Sequence, residues 1–239
     1  MPTVNICYSP ILYPVYQNQD AIVVVVDIFR ATSSICTAFA NGAKTIIPVA
    51  TIEEALDYQS KGYLVAAERD AEKCDFADFG NSPFEYVSDK VIGKDIVFTT
   101  TNGTKTIKMA GQHIELILGS FLNLSAVADF CIQKGKDVLV LCSGWNDTIN
   151  LEDVLFGGAV AECICRYQNY HPHGDASILA IDCWAQHKGS VIDFLRKGNH
   201  VERLLKNNHK KDILYCLQQN IFNFVPQLKS GHFFIESNC

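Results

Sequence analysis

Short apolar runs alternate with polar turns along the first two thirds of the chain, and one unbroken β-branched run, Ile22–Val26, sets the pattern. Five β-branched residues in a row suit a strand buried on both faces, as in the middle of an α/β sheet. The run stops at Asp27, and Arg30, Ala31, Thr32, Ser33 and Ser34 follow. Small and hydroxyl residues at that point open a small-residue helix over residues 31–40, which Asn41 and Gly42 close. Upstream, residues 4–7 read as a short strand and residues 8–18 as a loop. Residues 44–49 form the next strand. Thr51 with Glu54 three residues later matches a capping box, so a helix begins at Ile52, reaches Lys61 and stops at Gly62. Residues 63–67 are a third strand, and this β-α-β-α-β order implies parallel strands joined by right-handed crossovers.

Residues 71–94 lack strong periodicity and hold Asp75, Asp78 and the tetrapeptide Gly80-Asn81-Ser82-Pro83. Long ordered loops in compact domains are often functional. The plainer alternative is a turn followed by a helix started by Pro83 and capped by Ser82. Residues 95–99 form a strand that runs into Thr99-Thr100-Thr101-Asn102-Gly103-Thr104, ahead of a helix over 105–110. Hydroxyls, an amide, a glycine and free helical N–H groups at one strand-to-helix turn are a recipe for holding phosphate. The sequence is not a P-loop, and a polar turn with a threonine cap is the alternative.

Residues 114–118 are another strand, and Ser120 or Asn123 caps a helix that extends to Lys134. Residues 137–142 form a strand ending in Cys142-Ser143-Gly144-Trp145-Asn146-Asp147. Asn150 caps the next helix, whose first turn carries Glu152 and Asp153 and whose apolar face is Leu151, Val154, Leu155 and Ala159. Beyond Tyr167 the pattern weakens. Helices are expected over 176–187, 190–197, 200–206 and 211–219. Residues 221–225 and 232–236 flank Pro226 and Gly231 as a closing hairpin.

The chain has 239 residues, of which 48% are hydrophobic and 19% charged, enough for a sizeable core in one α/β domain over 1–239 or two intimately packed lobes. A net charge of −6 argues against non-specific nucleic-acid binding, which needs basic surface, but not against a local basic pocket for a small anion. Ten cysteines are scattered without a C-x-x-C pair and read as mainly buried, reduced thiols of a cytoplasmic protein. Zinc ligand spacing is missing, and the pair His171 and His173 has no further ligands in view. The N-terminus carries no signal-peptide pattern, and no apolar run approaches membrane-spanning length.

In open α/β sheets the carboxyl ends of strands form the ligand crevice. Polar strand ends recur here at Asp27, at Glu68-Arg69, at Thr100 and at Cys142. Asp27 and Arg30 are therefore site candidates, against a local ion pair that caps the following helix. Glu152 and Asp153 either complement the helix dipole or take part in a metal site. Cys142 reads as a buried small residue rather than a nucleophile, because no histidine lies nearby in sequence.

Taken together, D-I-F-R-A-T at 27–32, E-R at 68–69, G-N-S-P at 80–83, T-T-N-G-T at 100–104 and Cys142-Ser-Gly with Glu152-Asp153 resemble the 2-phosphosulfolactate phosphatase family. The ordered set covers most of residues 22–162. Ser143 stands where the family is expected to carry alanine. The resemblance implies an α/β/α three-layer fold with a largely parallel or mixed central sheet. It further implies a magnesium-dependent phosphatase of phosphorylated 2-hydroxy carboxylic acids, with 2-phospho-3-sulfolactate, on the route to coenzyme M, as the named substrate.

On that reading Mg²⁺ takes its oxygens from among Asp27, Glu68, Asp78, Glu152 and Asp153. Arg30 and Arg69 clamp anionic oxygens. Asn81, Ser82, Thr100, Thr101, Asn102 and Gly103 contact the substrate. Asp27, Arg30, Glu68 and Arg69 form the catalytic set, with Asp27 as attacking carboxylate or metal ligand. The D-x-F-x-x-T setting is similar to haloacid-dehalogenase-type phosphatases, but Phe29 stands where those carry a second Asp. Two alternatives stay open: a phosphatase of another small phosphorylated hydroxy acid, and a non-catalytic binder of a phosphorylated metabolite. A small phosphorylated acid is the expected partner, with neither nucleic acid nor membrane. A homo-oligomer is the base-rate expectation.

Overall fold

A computed structural model describes residues 1–111, 115–167 and 169–236. Ile114, where one strand was expected to begin, lies outside them. Strand β1 (Thr3–Cys7) leads through the single-turn α1 (Tyr13–Tyr16) to β2 (Ile22–Val26) and α2 (Ala31–Ala40). Next come β3 (Thr45–Pro48), α3 (Ile52–Ser60), β4 (Leu64–Arg69) and the two-residue β5 (Glu72–Lys73). A short α4 (Ser88–Val91), β6 (Asp95–Thr99), α5 (Gly103–Ala110), β7 (Leu116–Gly119), α6 (Leu124–Lys134) and β8 (Val138–Cys142) follow. The last third holds α7 (Leu151–Cys165), β9 (His171–Pro172), α8 (Gly174–His187), α9 (Val191–Leu195), α10 (Asn199–Lys206), α11 (Lys210–Cys216), β10 (Gln227–Lys229) and β11 (His232–Phe234).

The β2 run is buried at all five positions, as its continuous apolar sequence requires. Successive side chains face opposite sides. Ile22, Val24 and Val26 join Val138, Val140 and Cys142 of β8 in a core with α6, α7 and α8. Val23 and Val25 join Leu139 and Leu141 in a second core with Ala31, Ile35, Ala38 and Phe39 of α2 and with Ile107 and Ala110 of α5. Ile46 of β3, Ala66 of β4, and Ile96 and Phe98 of β6 enter that same second core. Their neighbours Ile47, Val65, Ala67 and Val97 turn the other way, toward Ala55 of α3. Helices thus cover both faces of a largely parallel, mixed sheet, in the three-layer α/β/α manner, and α5 packs against strands of both halves.

Strand order departs from the simple sequential reading. β2 pairs in parallel with β7 and β8, while β3 pairs with β6, and β6 with β4. The two parallel sets are joined by the β10–β11 hairpin, antiparallel to β7 through Gln227 and Ile117 and to β3 through Phe233 and Ile46. The hairpin is shifted from its expected place. Pro226 has no N–H for a ladder, so residues 221–225 carry no strand and pairing starts after it.

This bridge decides where strand ends meet. Three antiparallel junctions separate β7 from β3, so the two sets run in opposite senses along the ladder. Six strand-to-strand steps lie between β2 and β4. The carboxyl ends of β2, β4, β6 and β8 nevertheless border one crevice.

Candidate active site

That crevice is lined by Asp27, Arg30, Glu68, Asn81, Thr101 and Asn102 from the strand ends and their loops, and by Phe29, Ala71, Gly144, Trp145, His200, Arg203 and Leu204. Its enclosed space is narrow, about 20 Å³.

Asp27 sits where β2 gives way to α2. Its Oδ1 accepts from the N–H of Ala31, the first residue of α2, at 3.4 Å. Gly103, the first residue of α5, presses against the other oxygen: a Cβ there would lie 2.7 Å from Asp27 Oδ2 and 2.8 Å from the Ala31 Cβ. Only a glycine lets the two helix starts close on one carboxylate, and each start carries partial positive charge. Asp27 is buried, and no ion pair involves it among the described residues. Burial pushes its pKa up to about 6; His200 nearby pulls it down, and Glu68 and Glu152 push it up.

Glu68, at the end of β4, is oriented by backbone. Its Oε1 accepts from the Ala71 N–H at 2.5 Å and from the Thr101 hydroxyl at 3.4 Å, and its Oε2 from the Thr101 N–H at 3.5 Å. Asn81 lines the crevice as a buried side chain whose Oδ1 has no hydrogen-bond partner among the described residues. The threonine-rich turn is divided in its use. Thr100 and Thr104 cap each other's backbone, and Thr99 accepts from Arg69, so those hydroxyls are spent on structure. Of that turn, Thr101 and Asn102 line the crevice, while the Gly103 backbone abuts Asp27.

The remaining wall comes from the loop after β8 and from α10, with Glu152 of α7 behind it, outside the lining. Glu152 is 2% exposed, and its Oε1 lies 2.5 Å from His200 Nδ1 on α10. The His200 ring also meets Phe29 edge-on at 6.1 Å, and the Asn150 amide lies 3.2 Å from Nδ1. Asn150 occupies the N-cap position of α7 but makes no side-chain cap, contrary to expectation, because its amide is turned to His200. Arg203, one turn further along α10, places its guanidinium 4.6 Å from the centre of the Trp145 ring. His200, Arg203, Trp145 and Asp212 carry no signal in the sequence reading. They belong to ordinary helical patterns or loops, and their partners are distant in the chain.

Several expected site residues are placed elsewhere. Asp153 has both oxygens engaged, accepting from Ile28 N–H at 2.9 Å and Gly144 N–H at 3.1 Å, so it staples the β2 and β8 ends together and does not line the crevice. Its pKa stands well above the usual carboxylate range through burial, then through Glu152 and Asp27. Asp78 is exposed and accepts from Val65 at the amino end of β4, the end opposite Glu68. Arg30 lines the crevice, but its NH1 is 2.7 Å from Asp212 and its NH2 donates to the Ala71 carbonyl, so its charge is already matched. Neither the local pair with Asp27 nor a free anion clamp describes it. Arg69 donates to its neighbour's carbonyl and to Thr99, outside the crevice lining. Ser82 donates to Asp212 at 3.0 Å and caps nothing; Pro83 opens only a 3-10 turn. Cys142 is fully buried with its thiol pKa pushed well up, as a core residue. All nine cysteines among the described residues are free thiols. No described helix is long and apolar enough to cross a membrane.

A family model described as 2-phosphosulpholactate phosphatase matches residues 7–231. A probable 2-phosphosulfolactate phosphatase of Thermotoga petrophila is 40% identical over 213 residues, covering 89% of this chain and 91% of that protein. One of Caldanaerobacter subterraneus subsp. tengcongensis is 38% identical over 213 residues, covering 87% and 88%. One of Clostridium tetani is 34% identical over 216 residues, covering 89% and 91%.

Proposed function

Because the chain belongs to the 2-phosphosulpholactate phosphatase family and is thereby a phosphoric monoester hydrolase, we propose that it is a magnesium-dependent phosphatase converting 2-phospho-3-sulfolactate to 3-sulfolactate and inorganic phosphate. The observation that carries this reading is three oxygen-bearing groups at one crevice: the carboxylates of Asp27 and Glu68, and the orphaned Oδ1 of Asn81. Hydrolysis of a phosphate monoester demands charge neutralisation and an in-line nucleophile.

Mg²⁺ takes oxygen ligands, uses one or two carboxylates, and keeps waters and substrate phosphate in its remaining positions. The donor set fits that preference. Among the described residues no group of three or more His, Cys, Asp or Glu side chains is assembled to hold a metal, so a closed zinc-type cage is not the alternative. Asp27, Glu68 and Asn81 would hold the ion. When bound, it supplies charge neutralisation on the phosphoryl oxygens. The paired starts of α2 and α5 add fixed positive dipole ends beside the same spot. Glu152 Oε1 lies 2.5 Å from His200 Nδ1 and orients the ring, so that the other ring nitrogen would exchange a proton with the attacking or leaving oxygen.

The test is phosphate release from 2-phospho-3-sulfolactate, 2-phospholactate, phosphoglycolate and nucleotides, with chelator and then with added Mg²⁺. Release from the sulfolactate ester should stop with chelator and return with Mg²⁺. Full activity without metal would remove the magnesium part, and retention of ligand without phosphate release would remove the phosphatase.

A further inference from the structure

We propose that Arg203, seated on Trp145, is the subsite for the acidic group that the substrate carries beside its phosphate, a carboxylate or sulfonate. The inference deepens the phosphatase reading and rests on it for the chemistry of the substrate.

A pocket for a phosphorylated acid needs a second cationic contact, and the three arginines nearest the site differ in whether they can supply one. Arg30 is 3% exposed and neutralised by Asp212 at 2.7 Å, and Ala71 and His209 meet two more of its five N–H groups. Arg69 is turned to the Glu68 carbonyl and Thr99. Arg203 lines the crevice, and no ion pair involves it among the described residues. Its neighbour Glu202 is taken by Lys206 at 2.7 Å.

The indole ring under Arg203 supplies more than packing. A guanidinium 4.6 Å over a tryptophan centroid gains cation–π stabilisation, which holds it at the crevice wall. The ring gives the cation no ion-pair partner, so its planar fork of N–H donors suits the parallel bonds that a carboxylate or sulfonate accepts. The place also fits. Arg203, Trp145 and His200 form the wall shared by the narrow crevice at Asp27 and an adjoining groove of about 540 Å³. A substituent on the phosphate-bearing carbon leaves the crevice along that wall.

The experiment compares kcat/KM for 2-phospho-3-sulfolactate, 2-phospholactate and isopropyl phosphate, which carry two, one and no extra acidic groups on related skeletons. In Arg203→Gln the ratio of an acid-bearing ester to isopropyl phosphate should fall about 10- to 100-fold, chiefly through KM. Arg203→Lys, which keeps charge without the planar fork, should recover part of that ratio. A fall already present with 2-phospholactate assigns the carboxylate, and a fall only with the sulfolactate ester assigns the sulfonate. An unchanged ratio, or an equal loss on all three esters, would overturn the subsite. Calorimetric binding of 3-sulfolactate and of inorganic phosphate to the whole protein separates the two readings. Should wild type release no phosphate from any ester, the phosphatase reading fails, and Arg203→Gln must still weaken sulfolactate binding more than phosphate binding for the subsite to stand.

Discussion

Asp27 combines two properties that pull against each other. It is a carboxylate out of water, between two helix starts, with no cationic partner among the described residues, and burial raises its pKa to about 6. The ordinary value is 3.8. Between those two values the folded protein holds a proton that the unfolded chain has released, so metal-free stability falls as pH rises through this window, and the cost is fully present above it. Asp27→Asn should therefore raise metal-free stability at pH 7 by on the order of 2 kcal/mol while lowering turnover by roughly 10³-fold or more. Chemical unfolding with chelator at acid and neutral pH checks this. A variant less stable than wild type at pH 7 would contradict it. Ser143 offers a simpler case. Its hydroxyl is buried without a partner among the described residues, one position from Gly144 of the crevice. An orphaned hydroxyl costs about 1–3 kcal/mol, so Ser143→Ala should raise the melting temperature. A lower melting temperature would show a bond that Ser143 makes after all.

Residues were legible in the sequence where a chain signal coincided with chemistry. Asp27 and Glu68 each end an apolar strand, and that alone marked them. Thr100 misleads because a self-capping turn and a phosphate cradle use the same residue types. Asp78 misleads because a loop acid can tie down either end of a strand. Arg203 and His200 were illegible for another reason: Val201 and Leu204 give α10 an ordinary amphipathic pattern, and Glu152 is 48 residues from the histidine it holds.

Among the elements, α10 is the one that covers the site. It is eight residues long, its N-cap Gly198 makes no side-chain bond, and it docks through Val201 and Leu204. So short a helix has little stability of its own and depends on that docking. It carries His200, Arg203 and Leu204 into the crevice lining. A ligand that fills the crevice touches this helix and damps its local opening. Amide hydrogen exchange across α10 should slow several-fold when 3-sulfolactate and phosphate are added, with β2 unchanged. Exchange on α10 indifferent to ligand would show that substrate binds elsewhere. The apolar pattern places this helix in the chain but not over the crevice, because that position depends on contacts with Phe29, Glu152 and Trp145, all distant in sequence.

At the scale of the whole molecule, the site exists because two parallel strand sets share one rim. Local pattern revealed the strands but not their order. β2 and β3 follow one another in sequence and lie four places apart in the sheet, with β7 and a hairpin from the end of the chain between them. Asp27 stands on one set and Glu68 on the other, and both line the same crevice. The decisive measurement is phosphate release from 2-phospho-3-sulfolactate at saturating Mg²⁺ by wild type, Asp27→Asn, Glu68→Gln and the double variant. Two carboxylates acting as one unit predict a loss of at least about 10²-fold in each single variant, and a double variant about as slow as the slower single one. Near wild-type turnover in either single variant, or losses that multiply in the double, would contradict a shared centre.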